Sequence, residues 1–281
     1  MTDSLAHTAK AAPTLRVATR DTSFAYRDLG PRDGVPLVFL HHFTAVIDDW
    51  DPRVIDGIAA ERRVIIFDNR GVGGTPGKVP TTVEAMADDA VAFIRALGLE
   101  QVDLLGFSLG GFIAQVIAAE QPQLVRRFIL SGTGPTGLPG VGQLNPRMLI
   151  DSLRGLVTLS NPKPLLFFTR TGNGKAAAEA YMARLQERAA DRVRPTSILG
   201  AARQLLAISR WGARGPMDLG RISHPVLVAN GEDDRMLATR GSFELAHRLP
   251  QATLTIYPDS GHGGVFQHHD RFVPQALRFL R

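Results

Sequence analysis

The pattern that most restricts this chain is an alternation of short apolar runs with longer helical segments. From Pro36 onward the runs "PLVFLH", "RVIIFD", "VDLLGF", "RFILSG", "PVLVANG" and "ATLTIYP" are almost unbroken in Val, Ile, Leu and Phe. Strands that are apolar at nearly every position are covered on both faces, as parallel strands flanked by helices are. Two earlier runs, "LRVAT" and "SFAYRDL", alternate more and read as an antiparallel hairpin at the sheet edge. Between the runs, "VEAMADDAVAFIRALG" puts Val83, Met86, Ala90, Phe93, Ile94 and Leu97 on one helical face and stops at Gly98. "GGFIAQVIAAEQP" is apolar nearly all round, so it is a buried helix closed by Pro122. "TRGSFELAHRLP" and "FQHHDRFVPQALRFLR" supply the last two helices. The expected fold class is α/β, with a mostly parallel eight-stranded sheet and helices on both faces.

Residues 134–215 break this rhythm. They hold no convincing strand, only helical or loop-like sequence punctuated by "GPTGLPG", "SNPKP" and "TGNGK", and they are too long for an ordinary connection. The expectation is a helical lid inserted into a core made of residues 15–133 and 216–281, preceded by a flexible tail at 1–14. Met148, Leu149, Leu153, Phe167, Phe168 and Trp211 are the apolar residues expected to line the lid or to pack it on the core.

Bulk properties exclude several functions. The absence of cysteine removes disulfides and thiolate metal sites. No apolar run approaches the roughly 18 residues needed to span a bilayer. The first residues lack a signal layout, which gives a cytoplasmic expectation. Net charge is +5, yet only four of the 32 basic residues are lysine, and the arginines are scattered rather than gathered into a groove. Such basicity reads as a solvated surface, with no nucleic-acid or membrane partner. No spacing of His with carboxylates suggests a metal; His224 and His247 read as structural, and His268 and His269 as a solvated helix face.

The chemistry concentrates where "VDLLGF" meets "SLGG". A strand ending in G-x-S-x-G and followed at once by a helix is a nucleophile elbow. The turn is so tight that the serine is held in strained geometry, and Gly106 and Gly110 supply the room. Ser108 then stands at a helix N-terminus, where unpaired N–H groups favour negative charge. A serine hydroxyl needs a base, and the base needs a carboxylate to fix its tautomer. In this architecture they follow in the order Ser, Asp or Glu, His. After "PVLVANG" comes "EDDRML" with Asp233 and Asp234; after "ATLTIYP" comes "DSGHGG" with His262. All lie just past strand ends, at the edge where such sheets bind ligands.

On "GFSLGG", "NGEDDR", "PDSGHGG" and "DNRGVGGTPG", the chain from about Leu15 to Arg281 resembles the α/β-hydrolase fold family. The resemblance implies Asp234 as the acid, three residues after Gly231 and followed by Met236-Leu237. It also implies an oxyanion hole made by the backbone N–H groups of Phe43 and Leu109. The family usually has glycine where "LHHFT" has His42, so His42 is a departure and a candidate pocket residue, with Phe107 and Trp211. "DNRGVGGTPG" contains a loose G-x-G, but Pro76 and the lack of a following acidic residue argue against a dinucleotide.

The expected activity is cofactor-free hydrolysis of a carboxylic ester or related acyl substrate through Ser108, His262 and Asp234, most simply as an ester hydrolase. The alternatives are a cofactor-free haloperoxidase or perhydrolase, a C–C bond hydrolase, and a ligand receptor on the same scaffold. The expected partner is a small acyl molecule, and a homo-oligomer is left open.

Overall fold

The structure is a computed structural model, and it describes residues 8–140 and 162–281. Its strands are β1 (Leu15–Ala18), β2 (Ser23–Leu29), β3 (Leu37–Leu40), β4 (Val64–Phe67), β5 (Val102–Phe107), β6 (Val125–Ser131), β7 (Val226–Gly231) and β8 (Ala252–Tyr257). They form one sheet in the order β1-β2-β4-β3-β5-β6-β7-β8. The hairpin β1–β2 is antiparallel and β2 joins β4 antiparallel; every pairing from β3 to β8 is parallel.

The helices are α1 (Pro52–Ala59), α2 (Val83–Ala96), α3 (Leu109–Glu120), α4 (Lys163–Phe167), α5 (Gly172–Leu185), α6 (Ile198–Ala213), α7 (Arg240–Arg248), α8 (Gly264–Gln267) and α9 (His269–Leu280). Several starts are capped as their sequences dictate. Asp51 accepts from Arg53 N ahead of Pro52, and Thr82 accepts from Ala85 N. No helix among the described residues is long and apolar enough to cross a membrane.

Side-chain alternation along each central strand divides the core into two layers. Val38, Leu40, Ile65, Phe67, Leu104 and Leu130 face α2, α3 and α7. Their neighbours Leu37, Phe39, Val64, Ile66, Leu105 and Ile129 face α1, α8 and α9. The first layer is keyed by Phe67 stacked on Phe93 of α2, ring centroids 4.2 Å apart. Truncating a ring of this kind to alanine costs about 3–5 kcal/mol.

At the amino end of the parallel strands, the buried carboxylate of Asp103 in β5 is fully engaged. Arg126 grips it through Nε (3.0 Å) and Nη2 (2.6 Å), Arg62 Nη2 donates at 3.0 Å, and Arg127 N at 3.1 Å.

Of the segment expected as a flexible tail, residues 1–7 lie outside the described residues and the rest is held. Ala12 is fully buried, Ala9 N donates to Asp56, and Arg188 donates to the carbonyls of Ala9 and Lys10. Ala9 and Ala12 are both buried, and composition alone gives no hint of it. His268 also departs from its expectation as a solvated face: half-buried, it stacks on Tyr257 at 5.3 Å and bonds the Pro258 carbonyl.

Candidate active site

Between the end of β5 and the start of α3 the chain has one residue in which to turn, and that residue is Ser108. It sits at φ 56°, ψ −115°, a conformation that costs a non-glycine residue of order 1–3 kcal/mol. The surroundings hold it there. Ser108 N donates to Ser131 O at 2.9 Å, and Ser108 O accepts from Gly111 N (2.9 Å) and Thr133 Oγ1 (3.0 Å). A Cβ on Gly110 would lie 1.9 Å from Leu40 O, and one on Gly106 would lie 2.5 Å from Gly110 O. Both neighbours must therefore lack a side chain.

His262 follows β8 and is 1% exposed. Its Nδ1 meets Asp234 Oδ2 at 2.8 Å, while Asp234 Oδ1 accepts from Met236 N (2.9 Å) and Leu237 N (3.0 Å). A carboxylate only accepts, so Nδ1 carries a proton, and in the neutral ring the lone pair lies on Nε2. That Nε2 is buried without a hydrogen-bond partner among the described residues. Asp233, one residue earlier, has its side chain exposed and uses its N–H on Ser260 O. Two contacts bring the imidazole to the serine turn. Its ring packs on that of Phe107, centroids 4.8 Å apart, and a Cβ on Gly132, beside the Ser131 that holds Ser108 N, would come within 3.0 Å of it.

Leu109 is the first residue of α3, so its N–H has no acceptor within the helix. Phe43 lies on the turn after β3. Next to it, His42 is buried with its ring edge-on to Phe107 (5.3 Å) and Phe167 (5.2 Å). Its Nδ1 lies 2.8 Å from Phe43 O, which again requires the proton on Nδ1 and leaves Nε2 buried and unpartnered among the described residues. Burial first, then the charge of Lys163, pushes this imidazole down to about 3. His42 is thus a neutral acceptor at the site. Among the described residues no three His, Asp or Glu side chains are grouped to hold a metal ion.

The α/β hydrolase fold family matches residues 35–269. The chain belongs to this family. A candidate carbamate hydrolase of Agrobacterium fabrum is 30% identical over 238 residues, covering 82% of this chain and 87% of the relative. A non-heme chloroperoxidase of Streptomyces lividans is also 30% identical, covering 94% and 99%. Among solved structures, an α/β hydrolase fold protein from Chitinophaga pinensis superposes with a TM-score of 0.90 at 38% identity, covering 97% of this chain and 98% of its own.

In this α/β-hydrolase-fold protein the described residues of the excursion between β6 and β7 lie against the carboxyl edge of the sheet. Phe167 packs on Phe107 and His262 (each 5.5 Å), and its carbonyl accepts from Gly263 N. Phe168 is buried against Tyr181. Trp211 of α6 stacks on Phe112 of α3 at 5.4 Å, so it joins the excursion to the helix that follows Ser108. Met148, Leu149 and Leu153 lie outside the described residues.

Polar contacts unforeseen in the sequence fix the same segment. Lys163 pairs with Asp49, and Arg184 binds Asp51 bidentately. Thr169, Thr171 and Asn173 all donate to the carboxylate of Asp259, three residues before His262. Gln204 Oε1 accepts from Thr44 N. Each joins residues far apart in the chain, and no local motif announces any of them.

Proposed function

We propose that this protein is a serine hydrolase that cleaves a carboxylic ester or related acyl substrate through a covalent acyl-enzyme. His262 Nε2 takes the proton of Ser108 Oγ as the oxygen attacks the carbonyl carbon. The oxyanion that forms is held by the N–H groups of Phe43 and Leu109, the latter at the positive end of α3. The imidazolium, steadied by Asp234, returns the proton to the departing alkoxide. Water, deprotonated by His262, then releases the acid and frees Ser108. Residues 134–215 act as a lid that shapes the acyl pocket and excludes bulk water, with Phe167 and Trp211 on its packed side.

The observation that carries this reading is the buried Asp234–His262 pair, which leaves Nε2 unpartnered among the described residues and whose ring packs on Phe107, the residue before the strained Ser108. A p-nitrophenyl ester tests it. The expected result is a burst of nitrophenol equal to the enzyme concentration and an acyl mass on the peptide containing Ser108. Steady release without either would remove the covalent step and the reading with it.

A second reading draws on the similarity to a chloroperoxidase: hydrogen peroxide in place of water at the same acyl-enzyme, giving a peracid. A panel of esters, lactones, carbamates and amides, run with and without peroxide, separates the two. Peracid formed faster than acid at millimolar peroxide would favour the second.

A further inference from the structure

The peptide that joins Phe43 to Thr44 is pinned at both of its polar ends. Its N–H, on Thr44, donates to Gln204 Oε1 at 2.7 Å, and its carbonyl, on Phe43, bonds His42 Nδ1 at 2.8 Å. The next carbonyl, Thr44 O, accepts from Thr196 Oγ1 at 2.8 Å. Gln204 lies in α6 and Thr196 just before it, so this turn is held largely from the excursion. Thr44 itself is at φ 61°, where a β-branched residue rests only under constraint. The bond within the turn, Ala45 N to His42 O at 3.1 Å, touches neither polar group of Thr44.

Gln204 is fully buried, on the inward face of α6 with Gly200, Ala207 and Trp211. The atom facing Thr44 N must be its oxygen, because a backbone N–H only donates. Its Nε2 is buried without a partner among the described residues. A half-used amide in this position forfeits hydration that an apolar side chain would never have had, so packing alone does not account for it.

We propose that Gln204 is a positioning residue: by fixing the Phe43–Thr44 peptide it sets the direction of the neighbouring Phe43 N–H. The oxyanion site is then complete only while α6 is docked on the turn. Thr196 assists from the far side of Thr44. This inference rests on the acyl-enzyme reading above.

The test compares an ester with its thionoester, whose C=S sulfur gains little from oxyanion donors. Gln204→Met keeps the length of the side chain and removes the acceptor. It should lower kcat/KM for the ester by roughly tenfold or more and shrink the ester-to-thionoester preference by a similar factor, with KM little changed. Thr196→Val, close in shape, should move the preference the same way by a smaller factor, and it carries the test if Gln204→Met fails to fold. Folded variants that lose activity equally on both substrates, or lose none, overturn the proposal. A wild-type protein with no burst and no acyl group on Ser108 overturns instead the reading on which it rests.

Discussion

The two ends of β5 handle buried polar groups in opposite ways. At the amino end, Asp103 meets two guanidiniums and a backbone N–H, and its oxygens are fully engaged. At the carboxyl end, His262 Nε2, His42 Nε2 and Gln204 Nε2 are buried and unpartnered among the described residues. An unmet buried group costs about 1–3 kcal/mol, so the second arrangement is poor for stability taken by itself. The lesson is one of division: the amino end secures the sheet, while the carboxyl end keeps hydrogen-bonding capacity that the folded chain leaves unspent. Two of the non-glycine residues at positive φ, Ser108 and Thr44, fall on the same side.

Substitutions at each end put this contrast to trial. The largest effect is expected at the serine. Ser108→Ala should lower ester turnover by at least ~10⁴-fold while the melting temperature stays within a few degrees. An alanine variant with wild-type turnover on p-nitrophenyl acetate would break the contrast at once.

Asp234→Asn comes next, with kcat down by about 10⁴-fold because the amide no longer holds the required tautomer. Asp233→Asn should stay within about twofold, since that side chain is exposed. Kinetics on the pair give the ranking, and its reversal would move the acid by one residue.

The amino end should respond in stability alone. Asp103→Ala leaves Arg62 and Arg126 facing a void, at a cost of about 3 kcal/mol, the low end for a broken buried pair because both guanidiniums retain access to water. Urea denaturation reads that loss. Turnover per folded molecule should not change, and a large kinetic defect would mean that the two ends are not separable.

The smallest effect is a pH slope. His42 is neutral in the fold down to about 3, whereas the unfolded imidazole titrates at 6.5. Between those values the unfolded chain binds a proton that the folded one refuses. Stability is therefore full above pH 6.5 and declines as pH falls, by about 2 kcal/mol on reaching pH 5. His42→Gln should flatten that part of the urea-midpoint profile, and an unaltered slope would mean that residue 42 bears no such shift.

Much of this was legible in the sequence, for reasons that differ by residue. β3–β7 stand out because strands buried along most of their length carry long apolar runs, whereas β8, at the sheet edge, is buried only at Tyr257. The elbow stood out because a one-residue turn dictates its neighbours: Gly110 must clear Leu40 O. Helix α1 passed unnoticed although Asp51 and Pro52 mark its start, since eight residues give the apolar period little room to repeat. His42 showed only as an oddity where glycine is usual, because its tautomer depends on a carbonyl contact that no spacing encodes. Gln204 was beyond reach. Its neighbours in sequence say nothing of Thr44, 160 residues away, and the contact exists only once α6 has docked.

Asp259 has a practical consequence for anyone reshaping this enzyme's substrate range. Randomising residues 169–173 to enlarge the pocket would cut the ties of Thr169, Thr171 and Asn173 to a carboxylate three residues upstream of the imidazole. On the acyl-enzyme reading proposed above, selectivity and catalytic alignment are inherited together at that end of α5. Libraries aimed there should be screened for rate on the parent substrate as well as for acceptance of the new one.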